Sequence, residues 1–396
     1  MRARRRIALA LAAAAFSAAP TLLEAQDTTA FAKVLDTTAF VPIDTTPPAP
    51  KPFRVCAGGD VTLGTNLDTA WAKRGAKRMR VEYGLSDAPS TIVAPLRELF
   101  ADADLVLLNV ETAIGSGPTE SKCTKRSKNC FAFRGPETAA PALRSIADSS
   151  AVVVGNVANN HAHDAGDDGV VATIAHLGRA GILVTGADSM ATPVLLRDST
   201  VVGVLGFYTS AIPTDARDLA AVRRHVARAV EQFGTVIVTA HIGAEGVDAQ
   251  RTRDSTELFL DSKIDRGNPV AFANAALDAG ATLVIGHGPH VLRAAEWRDD
   301  RLVLYSLGNL TTYGPFNLLE PMNRGVVACA DLAGRSVIGA ELRPTMQRAA
   351  GVVARDSSRR ALTLIDSLSA LDFPKTGVRV DAWGELLRRV VDPQRQ

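Results

Sequence analysis

An excess of positive charge is the first thing this chain lacks. Its 396 residues carry 44 lysines and arginines against 42 aspartates and glutamates, and setting aside the first 25 residues moves the balance to 40 against 41. A nucleic-acid partner normally leaves a basic stripe. The short cluster Lys73–Arg80 reads instead as the solvated face of a helix, so no nucleic-acid partner is expected. Cysteine is scarce as well, with four in the chain. None lies near residue 25, so nothing points to a lipoprotein. The hydrophobic fraction of 46% excludes disorder overall. At this length it allows one large α/β domain or two smaller ones.

What is present begins with Met1-Arg2-Ala3-Arg4-Arg5-Arg6. An apolar run from Ile7 to Leu23 follows, broken by Ser17, Pro20 and Thr21, and then Glu24-Ala25-Gln26. This is the pattern of a secretory signal peptide over residues 1–25. An uncleaved membrane anchor is the alternative, because the run approaches spanning length; its alanine richness and Pro20 favour cleavage. The arginine cluster matches twin-arginine export only loosely. An exported protein of the periplasm or cell envelope is expected. Residues 26–52 repeat Asp-Thr-Thr-Ala-Phe at 27–31 and 36–40 and end in Pro47-Pro48-Ala49-Pro50-Lys51-Pro52. Such a segment buries too little apolar surface to fold alone and reads as a disordered tether. In an oxidising compartment Cys123 and Cys130, which bracket a polar loop, are expected to form a disulfide; a zinc reading of the pair lacks neighbouring His or Cys. Cys56 and Cys329 sit in apolar runs and read as buried, unreactive core residues.

From Phe53 onward, short β-branched runs alternate with helical stretches at Ala88–Ala103, Glu137–Ala147, Asp167–Ala180, Asp215–Phe233 and Pro269–Ala279. The alternation indicates an α/β domain over residues 53–335. Runs at Thr200–Tyr208, Glu296–Ser306 and Val326–Ala330 lack helices between them and favour a mixed sheet or two packed sheets. Residues 336–396 read as a C-terminal extension of the same domain, with a strand at Val337–Leu342 and helices near Arg360–Leu371 and Ala382–Val391.

Five of the apolar runs end in residues that bind metals. His287 and His290 follow Thr282–Ile285, Asp60 follows Phe53–Ala57, Glu111 follows Leu105–Leu108, Asn159-Asn160-His161 follows Ala151–Val154, and His241 follows Val236–Thr239. A lone strand-end Asp is more often a turn or cap residue, and a lone His more often a satisfied polar group. Their joint order is what makes them candidates. Arg134 is a candidate anion binder because its guanidinium can grip carboxylate or phosphate, with a structural ion pair as the alternative. His163 is a weaker candidate, and His176 and His225 sit in helical patterns with no role expected.

In order, Gly59-Asp60, Asn109-Val110-Glu111, Ala158-Asn159-Asn160-His161, Ala240-His241-Ile242-Gly243-Ala244-Glu245 and Gly286-His287-Gly288-Pro289-His290 resemble the bacterial CapA family. That is the capsule-synthesis or poly-γ-glutamate biosynthesis group related to calcineurin-like metallophosphoesterases. Phe133-Arg134-Gly135-Pro136 and Tyr305-Ser306-Leu307-Gly308-Asn309 agree with it. The resemblance implies a four-layer α/β/β/α sandwich and one or two divalent ions of Mn, Fe or Zn. Asp60 and His290 would hold one ion, Asn160, His241 and His287 the other, with Glu111 between them. His161 would act as general acid with Asp164 orienting it, and Asn109 and Arg134 would meet substrate. The third position of the first motif is Thr62, where metallophosphoesterases usually carry His. The implied function is a metal-dependent, phosphoesterase-like hydrolase of capsule biosynthesis or export. Its implied partners are an anionic polymer or phosphorylated small substrate and membrane subunits of a capsule synthase. A non-enzymatic metal-binding accessory or a polymer-binding module is the alternative.

Overall fold

Runs such as Leu105–Val110 and Val236–His241 bury every residue, which is the behaviour of parallel strands covered on both faces. The protein, a computed structural model, is described over residues 50–64, 69–116, 131–210, 214–259, 263–313, 319–348 and 351–389. The stretch read as a signal peptide, nearly all of the expected tether, and Cys123 with Cys130 lie outside the described residues.

The chain enters a first sheet through β1 (Phe53–Thr62), β2 (Leu105–Val110), β3 (Val152–Asn156) and β4 (Ile182–Thr185), all mutually parallel. It then builds a second sheet from β5 (Thr192–Leu195), β6 (Val201–Tyr208), β7 (Val236–His241), β8 (Leu283–His287), β9 (Ala295–Arg298) and β10 (Arg301–Leu304), ordered β9-β10-β8-β7-β6-β5. It returns to the first sheet with β11 (Asn309–Thr312), β12 (Arg324–Ala333), β13 (Ser336–Arg348) and β14 (Val352–Arg355), giving the order β14-β13-β12-β1-β2-β3-β4 with β11 alongside β1. Segments beyond residue 335 are therefore woven into the main sheet.

Side-chain alternation along β1 explains the packing. Val55 and Ala57 join Leu105, Leu107, Ile237, Ile285 and Leu304 in a core fed by both sheets. Cys56 between them points the other way, toward a core shared with Met79, Leu96, Phe100, Leu143 and Leu177 from the helical segments. A third core sets Val222, Val226 and Phe272 against Leu205, Val238 and Val284 of the second sheet. Each fully buried aliphatic side chain contributes roughly 1.5–3 kcal/mol. The α/β expectation holds.

The helix over Leu219–Phe233 starts at Asp218, whose carboxylate accepts from Ala221 N at 2.9 Å, and the helix over Pro269–Asp278 starts at Asn268, which accepts from Val270 N and Ala271 N. Lys73, Arg74, Lys77 and Arg80 are exposed on a helix, Thr69–Tyr83, that buries Met79. Among the described residues no helix is long and apolar enough to cross a membrane.

Three expectations need correction. The helix read over Ala88–Ala103 is broken into Pro89–Val93, a 3-10 turn Ala94–Leu96 and Arg97–Phe100, because Pro95 has no N–H to continue the ladder. The helix read over Ala382–Val391 is instead a hairpin in its described part, with Arg379–Val380 paired to Leu386–Leu387. Asp381 Oδ1 accepts from both Trp383 N and Glu385 N, and Gly384 takes φ +96°, so the chain turns there. Cys56 and Cys329 are buried as expected but not unreactive: they face each other across β1 and β12 and are joined as a disulfide.

Non-reducing peptide mapping should recover Cys56 linked to Cys329. Replacing the pair by serine should lower stability by about 2–5 kcal/mol, the usual effect of losing a native bridge. Alkylation of both thiols without reductant would contradict the pairing.

Candidate metal centre

Two rows of polar residues meet where the parallel strands of the two sheets end. In the first sheet the register sets Asn309 beside Asp60, Asp60 beside Asn109 and Asn109 beside Asn156. In the second it sets Tyr208 beside His241 and His241 beside His287. Carboxyl ends of strands are where α/β folds gather ligands. A register shift between Ala57 and Asp60 aims the Asp60 side chain. Gly59 permits it, since a Cβ there would sit 2.0 Å from the Gly308 carbonyl that accepts from Asp60 N at 3.0 Å. Gly288, at φ +108°, brings its backbone against the His241 ring and donates its N–H to Asp60 Oδ2 at 3.3 Å.

Asn109 links the rows. Its Nδ2 donates to Asp60 Oδ1 at 2.8 Å and lies 3.2 Å from His241 Nδ1, while its Oδ1 accepts from Asn156 at 3.0 Å and Asn159 at 3.3 Å. Asp60 Oδ2 is 3.0 Å from His290 Nδ1, which also meets Asn309 Oδ1 at 3.0 Å. His287 Nδ1 is 3.7 Å from Asp60 Oδ1. Glu111 sits at the middle, with Nε2 of His241 and of His290 each 3.7 Å from its Oε1 and Nε2 of His161 at 3.9 Å. Thr62 Oγ1 donates to the Glu111 carbonyl at 3.4 Å.

Asp60, Glu111, His241 and His287 have essentially no solvent exposure, and their ionisation reflects it. Burial drives Glu111 well above the usual carboxylate range, helped by Asp60 and Glu245 against the pull of His290. Burial also drives His241 well below the usual imidazole value and His287 down to about 4. For Asp60 burial is outweighed by the hydrogen bond and charge of His290, which hold it below the ordinary range. Burial of His290 is outweighed by Glu111 and Asp60, which raise it to about 10.

Among the described residues, both Glu111 carboxylate oxygens, His241 Nε2 and both ring nitrogens of His287 are buried without a hydrogen-bond partner. Leaving such a group unmet costs roughly 1–3 kcal/mol, more for charged groups. Ligand atoms of Asp60, Glu111 and His290 all lie within 4.8 Å of one another. Carboxylates and neutral imidazoles so gathered fit a Mn, Fe or Zn ion better than they fit each other.

Of the other expected residues, His161, Asn160 and Asn109 adjoin this centre. His161 Nδ1 is 2.6 Å from Asp164 Oδ2, which also accepts from Phe133 N. The Phe133 ring packs 4.6 Å from the His161 ring. Asn160 Nδ2 donates to Glu245 Oε1 at 3.4 Å. Asn109 is fully buried and orients Asp60 and His241. Arg134 lies in a short strand and lines a groove of about 820 Å³ with Ser116, Gly166, Asp167 and Asp168. His163 is outside the centre, exposed and paired with Asp167 at 2.9 Å. Sequence reasoning did not single out Asn156, Asn309, Tyr208, Glu245 or Arg266. Asn309 and Glu245 stood inside quoted motifs; Asn156, Tyr208 and Arg266 carried no signal.

Residues 54–313 match the family described as bacterial capsule synthesis protein PGA_cap. An uncharacterized protein of Sinorhizobium fredii is 35% identical over 102 residues, 26% of this chain and 19% of that protein. PGA biosynthesis protein CapA of Bacillus subtilis is 23% identical over 270 residues, 63% of this chain and 61% of that one. A probable polyglutamine synthesis accessory protein of Mycobacterium tuberculosis is 26% identical over 294 residues, 66% and 74% of the two chains. The chain thus spans about a fifth of the first relative and about three fifths of the second.

Metal binding here should release protons. His290 holds a proton near neutrality and must lose it to ligate, whereas His241 and His287 are already neutral. Affinity for Mn should therefore rise as pH increases from about 6 to 8, measured by calorimetry in buffers of different ionisation enthalpy. Equal affinity across that window with no proton release would contradict the assignment.

Proposed function

The chain belongs to the bacterial capsule synthesis protein family, and we propose that it is an exported, metal-dependent hydrolase of phosphoester bonds serving a poly-γ-glutamate-like capsule. The observation that carries this reading is Glu111, a buried carboxyl ringed by three imidazoles, one of which belongs to an oriented His–Asp pair. The core fed by both sheets, with helices packed outside each, supports a four-layer sandwich of the metallophosphoesterase kind. The buried Cys56–Cys329 bridge suits an oxidising compartment, as does the signal-like N-terminus. The family relation also supports an anionic polymer or a phosphorylated substrate, and membrane subunits of a synthase, as partners.

Asp60, Glu111, Asn160, His241, His287 and His290 would hold the cation, which supplies Lewis acidity toward a phosphoryl oxygen. His161 works beside it. Asp164 can only accept, so it keeps the proton of His161 on Nδ1 and turns Nε2 toward the centre. From there a protonated Nε2 delivers its proton to the leaving oxygen. Asn109 keeps Asp60 and His241 in place, and Arg134, which lines a groove with Ser116 and Gly166, is the candidate for a substrate's remaining charge.

One observation favours a second reading. Thr62 stands where a further imidazole would complete the first motif, and its hydroxyl serves the Glu111 backbone instead. A protein whose cation binds a polymer carboxylate without hydrolysis would have no need of that ligand.

His161→Ala separates the two. As an enzyme the protein should keep its metal in this variant but turn over a model phosphodiester roughly 10²–10⁴-fold more slowly, the reach of a positioned general acid. Wild type without metal-dependent hydrolysis, together with a His161→Ala strain that makes normal capsule, would sink the hydrolase reading in favour of the accessory one.

A further inference from the structure

Arg266 is 3% exposed, and its Nε and Nη1 are buried with no hydrogen-bond partner among the described residues. Its Nη2 donates to Glu245 Oε1. The same Glu245 oxygen accepts from Asn160, and Oε2 lies 4.0 Å from His290 Nε2. Polar contacts thus run from the donors of the metal centre through Glu245 to the guanidinium. The backbone fixes this: Gly243 N donates to Arg266 O and Arg266 N to Glu257 O, both at 2.9 Å, which ties residue 266 beside the loop that follows His241. Phe259 covers part of the guanidinium, 5.6 Å from ring centre to Cζ. Tyr208 stands edge-on to His241 at 5.5 Å.

Glu245 balances the charge of Arg266 but leaves two of its donors unmet, and unmet buried donors are expensive to keep. Beside a cation site they mark where an acceptor comes. We propose that Arg266 recognises the substrate, binding an unesterified oxygen of a phosphoryl group held at the metal centre. The phosphoryl class rests on the hydrolase reading above. Arg266 and the metal donors come from different elements and meet through Glu245, and a phosphoryl group has anionic oxygens enough to meet a cation and a guanidinium together.

The test is calorimetric binding of inorganic phosphate to the full chain with manganese, with metal content measured for every variant. Arg266→Lys keeps a cation beside Glu245 but loses the planar donors, and it should bind phosphate about 10-fold more weakly. The neutral pair Glu245→Gln with Arg266→Gln should bind it about 100-fold more weakly. If the double variant fails to fold, as removing a buried pair can cause, Arg266→Lys alone decides. Phosphate affinity equal to wild type in a folded, metal-loaded Arg266→Lys protein would reduce Arg266 to a structural partner of Glu245 and overturn the proposal. So would a wild type that binds glutarate but no phosphate. Phosphate binding that depends on Arg266, without hydrolysis of any phosphoester, would leave this inference standing and remove the hydrolase reading.

Discussion

Glu111 has no exposed surface and, among the described residues, no hydrogen-bond partner on either carboxylate oxygen, and the strand ends around it are arranged to answer that deficit. An isolated buried carboxylate is one of the most costly groups a fold can carry, so it neutralises or finds a cation. Two imidazoles of the ligand set, those of His241 and His290, stand just too far from it for hydrogen bonds, each at 3.7 Å. That spacing is too long for direct pairing and fits donors that share an ion with bonds of about 2.0–2.2 Å.

The centre also depends on two sheets meeting in register. Asp60 and Asn109 come from one sheet, His241 and His287 from the other, and the Asn109 amide touches both. Because the sheets share one buried core, the distances between these groups are set by packing rather than by loops. Loops add the remaining pieces: His161 after β3, Glu245 after β7 and His290 after β8. His290 takes φ +60°, an uncommon conformation for a residue other than glycine and one that clusters at functional sites.

Much of this was legible in the sequence because metal-ligand types at strand ends leave a pattern: polar residues directly after buried β-branched runs. The α/β alternation was legible for the same reason. Partnerships across long separations were not. Cys56 and Cys329 are 273 residues apart, and nothing local tells a buried thiol that it faces another. Asn156 and Asn309 look like ordinary strand ends until the register sets them beside Asn109 and Asp60. Arg266 and Glu245 meet only once the chain after His241 pairs with Arg266, which is itself tied to Glu257. The helix read near 382–391 gives way in its described part to a turn, which the Asp381 cap and Gly384 favour.

Membership in the capsule synthesis family gives the molecule a setting, and the centre gives it a chemistry that depends on one claim: the buried donors hold a divalent cation. Elemental analysis of gently purified wild type and Glu111→Gln tests it most directly. Wild type should carry one or two ions of Mn, Fe or Zn per chain, and Glu111→Gln should carry markedly less while remaining folded. A wild-type protein free of metal that also ignores added Mn, Fe and Zn would contradict the account.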